Sequence, residues 1–124
     1  MQRAAFILIM SVRLLALFSI VVGIALMSGH WADAKSTLIL VHFLLGFLTT
    51  SFVLGLGIIA LLNKLFPVGL LSLLFAFCLP VTGFLQLASI GPHLGAPQIV
   101  HIVVIVAAIG LAEATTAKIK RTTA

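Results

Sequence analysis

Four histidines are the side chains with the most distinctive chemistry in this chain, and two of them fall inside long apolar runs. His42 lies about six residues into the run 37–62, and His101 about four residues into the run 97–117. At 1.5 Å per helical residue, both lie roughly 6–9 Å from the same end of their helices. Both runs are long enough to cross a bilayer, where ionisable residues are costly and usually functional. The matched depths predict that the two imidazoles serve one site.

Helix packing geometry indicates what such a pair could hold. In a square bundle the second and fourth helices are diagonal partners, with axes roughly 11–14 Å apart. That gap accommodates a flat macrocycle edge-on, with an imidazole reaching its iron from each side. One helical turn beyond His42, Gly46 leaves room for a large cofactor. The residues therefore predict His42 and His101 as heme ligands. The alternative is an ordinary packing face, in which each histidine hydrogen-bonds across helices.

The other possible metal ligands give weaker indications of function. His30 and His93 fall in the predicted connections and are interpreted as interfacial loop residues, with contact to a propionate or capture of copper left open. Cys78 is the single cysteine, which excludes an intrachain disulfide and a multi-cysteine metal site. One Asp and one Glu give paired-carboxylate catalysis little to build on, so a non-enzymatic role is favoured and an enzymatic one stays open.

The elements that must position these side chains are four apolar runs joined by short connections. The chain has 124 residues, of which 63% are hydrophobic and 7% charged, and a soluble domain of this length cannot hide so much apolar surface. A span needs about 20 apolar residues. The helices are predicted at about 4–28, 37–62, 67–89 and 97–117. We therefore expect an all-α, integral membrane, up-down-up-down four-helix bundle, with a single domain over residues 1–124.

The cations predict how the bundle is oriented. Lys35 lies on one predicted side of the membrane, and the other six cations lie opposite: Arg3, Arg13, Lys64, Lys118, Lys120 and Arg121. Cytoplasmic segments carry an excess of Lys and Arg, so both termini are expected in the cytoplasm and the protein in the inner (plasma) membrane as a multi-pass protein. Anionic headgroups account for the net charge of +5, and nucleic-acid binding is discarded.

The N-terminal run has a second interpretation. Arg3 and Arg13, an apolar stretch and then Ala32-Asp33-Ala34 are typical of a secretory signal peptide with an A-x-A cleavage site. Cleavage would remove residues 1–34 and leave three helices. The apolar run starts at Ala4 and exceeds a typical signal-peptide core, so a retained first helix is expected.

Arg13 and Glu113 are a predicted ion pair. The two residues lie about 15 and 16 residues from the outer ends of helices 1 and 4, which are neighbours in a square bundle. Pairing would reduce the cost of burying either charge. In the alternative interpretation, Arg13 extends to the cytoplasmic headgroups and Glu113 sits in the interface.

Short motifs in the last three helices are similar to a known family. They are His42-Phe43-Leu44-Leu45-Gly46, Gly83-Phe84-Leu85-Gln86-Leu87-Ala88 followed by Gly91-Pro92, and Pro97-Gln98-Ile99-Val100-His101. Over about residues 37–112 the chain resembles one four-helix half of heme A synthase, and more generally a b-type membrane cytochrome. The resemblance implies that His42 and His101 are axial ligands of heme b and that Gln86 lies near the cofactor.

The chain departs from that family next to its first predicted ligand. The catalytic half of the family carries an E-x-x-H-R pattern, whereas here Ile39 and Leu40 precede Val41-His42 and Phe43 replaces the arginine. The resemblance therefore implies a heme-binding, electron-carrying or sensing half rather than a synthase.

Three functions compete at this stage. The first is a membrane b-type heme protein for electron transfer or heme handling, in the lipid bilayer, with a quinone or a membrane redox complex as partner and a homo-oligomer left open. The second is a cofactor-free scaffold or assembly subunit, which needs no special residues. The third is a small transporter, which is disfavoured because helix 1 has no carboxylate and Glu113 lies near the cytoplasmic end.

Overall fold

The computed structural model describes residues 2–28, 34–87 and 95–122. Within these ranges the chain forms four helices: α1 Gln2–Ser28, α2 Lys35–Leu62, α3 Phe66–Leu87 and α4 Ala96–Thr122. All four are long and apolar enough to cross a membrane. Large apolar side chains such as Phe47 and Phe77 lie exposed on the outside of the bundle, as a lipid environment requires. The predicted all-α class with four candidate spans is confirmed.

All four helices begin one or two residues before their predicted starts. The clearest difference is α4, which was predicted to end near residue 117 and continues to Thr122. Lys120 and Arg121 lie in its last turn, where cations stabilise the negative end of the helix dipole. Helices α1 and α2 each begin two residues before their predicted starts, because helical hydrogen bonding continues into flanking polar residues that hydropathy does not count.

Neighbouring helices run antiparallel. Between α3 and α4, for example, Thr82 pairs with His101 and Ser72 with Thr115, so residue numbers rise on one helix as they fall on the other. In the described ranges α2 and α4 also contact each other across the bundle, whereas α1 and α3 do not. The cross-section is thus a lozenge rather than the expected square, and its short diagonal joins the two histidine-bearing helices.

Helices α2 and α3 are joined by a tight turn and cross closely. Lys64 takes a left-handed conformation in that turn, with φ of 60°. A Cβ on Gly69 would lie 2.7 Å from the side chain of Leu61 and 3.1 Å from the carbonyl oxygen of Gly57. Glycines at such a crossing let the two backbones approach. This contact holds α3 against α2 at the end of the bundle that is remote from the histidines.

The packed core occupies the end of the bundle remote from the histidines. Its buried residues come from the first half of α1, the second halves of α2 and α4, and the middle of α3: Ala5, Ile9, Val12, Val53, Leu56, Ala60, Ala76, Leu79, Ala108, Ala112 and Ile119. The opposite half of the bundle is less tightly filled, and it contains the site.

Candidate functional site

A cavity of about 290 Å³ lies in the half of the bundle that contains the histidines, and all four helices line it. Its volume is near the lower end of the range for small-molecule sites, roughly 300–1,000 Å³. The lining includes the four residues that the sequence predicts for cofactor binding: His42, Gly46, Gln86 and His101. Residues from three separate helices are therefore brought to one mostly apolar space.

The two histidine rings face each other at a distance that suits ligands of a single metal. The ring centroids of His42 and His101 are 6.3 Å apart, with 62° between the ring planes. Metal–imidazole bonds of about 2 Å, plus half the width of each ring, give roughly this spacing for two ligands on opposite sides of one ion. The rings make an edge contact at this distance and angle, and the same centroid spacing is compatible with two ligands of one metal.

His42 is held by the preceding helix, α1. Its Nδ1 donates a hydrogen bond to the backbone carbonyl oxygen of Ser19 at 3.0 Å, and the Ser19 hydroxyl lies 3.3 Å away. One turn later on α1, a Cβ on Gly23 would lie 3.3 Å from Cε1 of His42. The glycine therefore lets α1 approach close enough to hold the ring.

His101 is held in a similar way by α3, and it is only 8% exposed. Its Nδ1 lies 2.9 Å from the Thr82 hydroxyl oxygen. That hydroxyl donates its own hydrogen to the carbonyl oxygen of Cys78 at 2.9 Å, so it is free to accept from Nδ1. A Cβ on Gly83 would lie 3.4 Å from Cε1 of His101.

These contacts determine which nitrogen of each imidazole remains available. A neutral imidazole has one donor and one acceptor nitrogen. Nδ1 of His42 donates to the Ser19 carbonyl oxygen, which leaves its Nε2 with a lone pair. At His101, Nδ1 can donate to the Thr82 hydroxyl, and in that tautomer Nε2 is likewise the acceptor nitrogen. Histidines that bind metals characteristically donate their other ring N–H to an oxygen in this manner, which orients the ring and raises its basicity. Two such imidazoles can hold a metal between them.

The rest of the predicted site supplies space and a few polar groups. No atom lies within 4 Å of the position of a Cβ on Gly46, so the cavity is open at this point of α2. Gln86 lines the cavity from α3. Gln98 also lines it and is 5% exposed, and its side-chain oxygen accepts a hydrogen bond from the backbone N–H of Gly95 at 3.1 Å, at the start of α4.

The structure also brings Arg13 and Glu113 together, as an ion pair in which Arg13 Nε donates to Glu113 Oε1. The pair joins α1 to α4 outside the cavity lining. The two side chains are 53% and 39% exposed, so the pair lies on the outer face of the bundle rather than in its interior. Its geometry suits a link between two helices rather than a part of the histidine site.

Several predicted features fall outside the described residues. They are His30, His93, the A-x-A sequence of residues 32–34 except for Ala34, and the Gly91-Pro92 part of the family motif. Within the described ranges, no group of three or more His, Cys, Asp or Glu side chains could hold a metal ion. The two cavity histidines could together supply two ligands of one metal.

The sequence did not single out Ser19, Gly23 or Thr82 as site residues. Ser19 and Gly23 lie four residues apart on one face of α1, which is a weak signal for a shared contact. Which face of α1 meets α2 depends on tertiary packing, and neither spacing nor hydropathy gives that rotation.

Comparison with protein-family models, with curated proteins and with solved structures finds no match to this chain. The likeness to half of heme A synthase therefore rests on the short motifs alone, and a functional conclusion must rest on the site.

Proposed function

We propose that this protein is a membrane b-type heme-binding protein that uses His42 and His101 as axial ligands. The observation that carries the proposal is the ring spacing of 6.3 Å inside a cavity lined by all four helices. The hydrogen bonds at each Nδ1 support it, because Nε2 is the acceptor nitrogen of His42 and, when Nδ1 donates to Thr82, also of His101. The family resemblance in α2, α3 and α4 points the same way.

The residues present fit a heme in chemical character. Neutral imidazoles are common axial ligands of heme iron, and an apolar pocket suits the macrocycle. Gly46 leaves open space on α2, and Gln86 and Gln98 add polar groups to the lining. When bound, heme supplies a one-electron redox couple. Since the two histidines would occupy both axial positions, electron transfer or heme handling is favoured over catalysis.

The same proposal includes an orientation in the membrane. The histidine end of α2 begins at Lys35, whereas Lys64 and the cations of the last turn of α4 lie at the opposite end of the bundle. By the positive-inside bias, both termini lie in the cytoplasm and the site lies near the outer face of the inner (plasma) membrane. A quinone or a membrane redox complex is then the proposed class of electron partner.

A reduced-minus-oxidised visible spectrum of the purified protein, after heme-replete expression, tests the proposal. Wild type should give a sharp b-type signal, and His42→Ala and His101→Ala should each lose it. Phe77→Ala is a matched control on an exposed position of α3 and should keep the signal. A featureless wild-type spectrum would contradict the heme assignment and favour a cofactor-free scaffold or assembly subunit.

A further inference from the structure

The two histidines are held by different kinds of hydrogen-bond acceptor. His42 donates to a backbone carbonyl oxygen, that of Ser19, and the Ser19 hydroxyl is a second and longer contact. His101 has a side-chain acceptor, the hydroxyl of Thr82. A substitution cannot remove a backbone carbonyl, but it can remove a hydroxyl. The orientation of His101 therefore depends on the identity of a side chain, whereas the orientation of His42 does not.

The Thr82 hydroxyl is itself fixed in direction. It donates to the carbonyl oxygen of Cys78 at 2.9 Å and lies 3.2 Å from that of Leu79. With its hydrogen directed to a carbonyl oxygen of α3, the hydroxyl oxygen has a lone pair available to accept from the imidazole. This arrangement favours the tautomer in which Nδ1 of His101 carries the hydrogen. Chains of this kind, from imidazole to hydroxyl to carbonyl, also strengthen each bond by mutual polarisation.

Thr82 does not belong to the cavity lining, although Ser19, His42 and His101 do. It is half-buried, and its hydroxyl contacts the His101 ring at Nδ1. Any effect of Thr82 on a bound group must therefore pass through the imidazole. Thr82 can therefore act by positioning His101, without contacting the cofactor directly.

We propose that Thr82 is the positioning residue of this site: it holds His101 in the tautomer that presents Nε2 to the cavity and thereby sets ligand strength. The part of this inference that concerns the cofactor rests on the proposed heme function. A hydrogen-bonded Nδ1–H makes the imidazole a stronger donor to a metal, which stabilises ferric over ferrous iron. Thr82 therefore lowers the midpoint potential of the heme and tightens its binding.

The first test needs no heme. Long-range ¹H–¹⁵N spectra of the heme-free protein, labelled with ¹⁵N-histidine and assigned with His101→Gln, report which ring nitrogen carries the hydrogen. Wild type, Thr82→Ser and Ser19→Ala should show the Nδ1–H form at His101. Thr82→Val, which keeps the branched shape and removes the hydroxyl, should show a mixture or the Nε2–H form. The inference is overturned if Thr82→Val gives the wild-type pattern, or if wild type is Nε2–H.

The second test measures heme affinity and midpoint potential in the same variants. Thr82→Val should bind heme roughly 10–100-fold more weakly and have a more positive midpoint potential. Thr82→Ser should stay near wild type, a pattern that a general loss of stability would not produce. Equal affinity and potential in Thr82→Val and wild type would contradict the positioning role. Absence of heme from wild type would instead overturn the proposed function, and the tautomer spectra would still decide the role of Thr82.

Discussion

The residues of this site fall into three groups: the candidate metal ligands, the residues that orient them, and the glycines that leave space. His42 and His101 supply the imidazoles, Ser19 and Thr82 orient them, and glycines at three points make room. The glycines serve two different purposes. Gly23 and Gly83 allow a helix to lie against an imidazole, at 3.3 and 3.4 Å from Cε1, whereas Gly46 faces open space. Substitutions at these positions should therefore have distinguishable effects.

Gly46→Leu should abolish heme binding and leave the fold intact. No atom lies within 4 Å of a Cβ at Gly46, so the larger side chain would enter the cavity without a clash. Replacing glycine within a helix also removes a penalty of about 1 kcal/mol, so the thermal midpoint should stay the same or rise. The visible spectrum and thermal unfolding by circular dichroism measure the two quantities.

Gly110→Leu is the matched control for that substitution. Gly110 is exposed on α4, and nothing lies within 4 Å of its Cβ position either, but it does not line the cavity. It should keep the heme signal. If both variants lose the heme signal, or if neither does, Gly46 does not border the space that heme is proposed to occupy.

The sequence predicts where each helix lies along the chain much better than it predicts which face of each helix turns toward its neighbours. The depths of His42 and His101 follow from counting residues, because the rise per residue of a helix is nearly constant. The supporting residues Ser19 and Thr82 could not be derived that way, since they depend on which face of α1 or α3 turns inward. The ion pair illustrates the same limit: counting gave the matched depth of Arg13 and Glu113, but not their exposure on the outer face.

The crossing of α2 and α3 is the element contact most sensitive to side-chain size. Gly69→Ala would place a methyl group 2.7 Å from Leu61 and 3.1 Å from the Gly57 carbonyl oxygen, and the backbone oxygen cannot yield. Such overpacking costs typically about 1–3 kcal/mol. Gly55→Ala, with its nearest contact at 3.4 Å, is the control and should be close to neutral. Thermal unfolding in detergent measures both, and equal midpoints would contradict the role given to the crossing.

The link between α1 and α4 can be tested by exchanging its charges. Arg13→Glu alone, or Glu113→Arg alone, brings like charges together and should lower the thermal midpoint of the bundle slightly. The double variant restores an ion pair with reversed polarity and should recover most of the loss. If the double variant is as unstable as the sum of the single variants, the two residues are not coupled, and each interacts separately with the headgroup region.

At the scale of the whole molecule, the bundle has a packed half and an open half. The buried core clusters near the two chain ends and the α2–α3 turn, and the cavity occupies the other half. The packed half can stabilise the fold, and the open half leaves the cavity that is proposed to hold a ligand. All four helices are long enough to cross a membrane, and the cavity lies nearer to one end of them than to the other.

Two lysines at opposite ends of α2 can be used to test on which side of the membrane the site lies. Lys35 is the first residue of α2, at the histidine end of the bundle. Lys64 lies two residues beyond Leu62, the last residue of α2, at the core end. In a Cys78→Ser background, Lys35→Cys should react with a membrane-impermeant maleimide in right-side-out vesicles, and Lys64→Cys should react only in inverted ones. The positive-inside bias gives this direction, since six of the seven cations fall on the Lys64 side. The reverse labelling pattern would place the histidine cavity near the cytoplasm, and its electron partner would then have to be sought on that face.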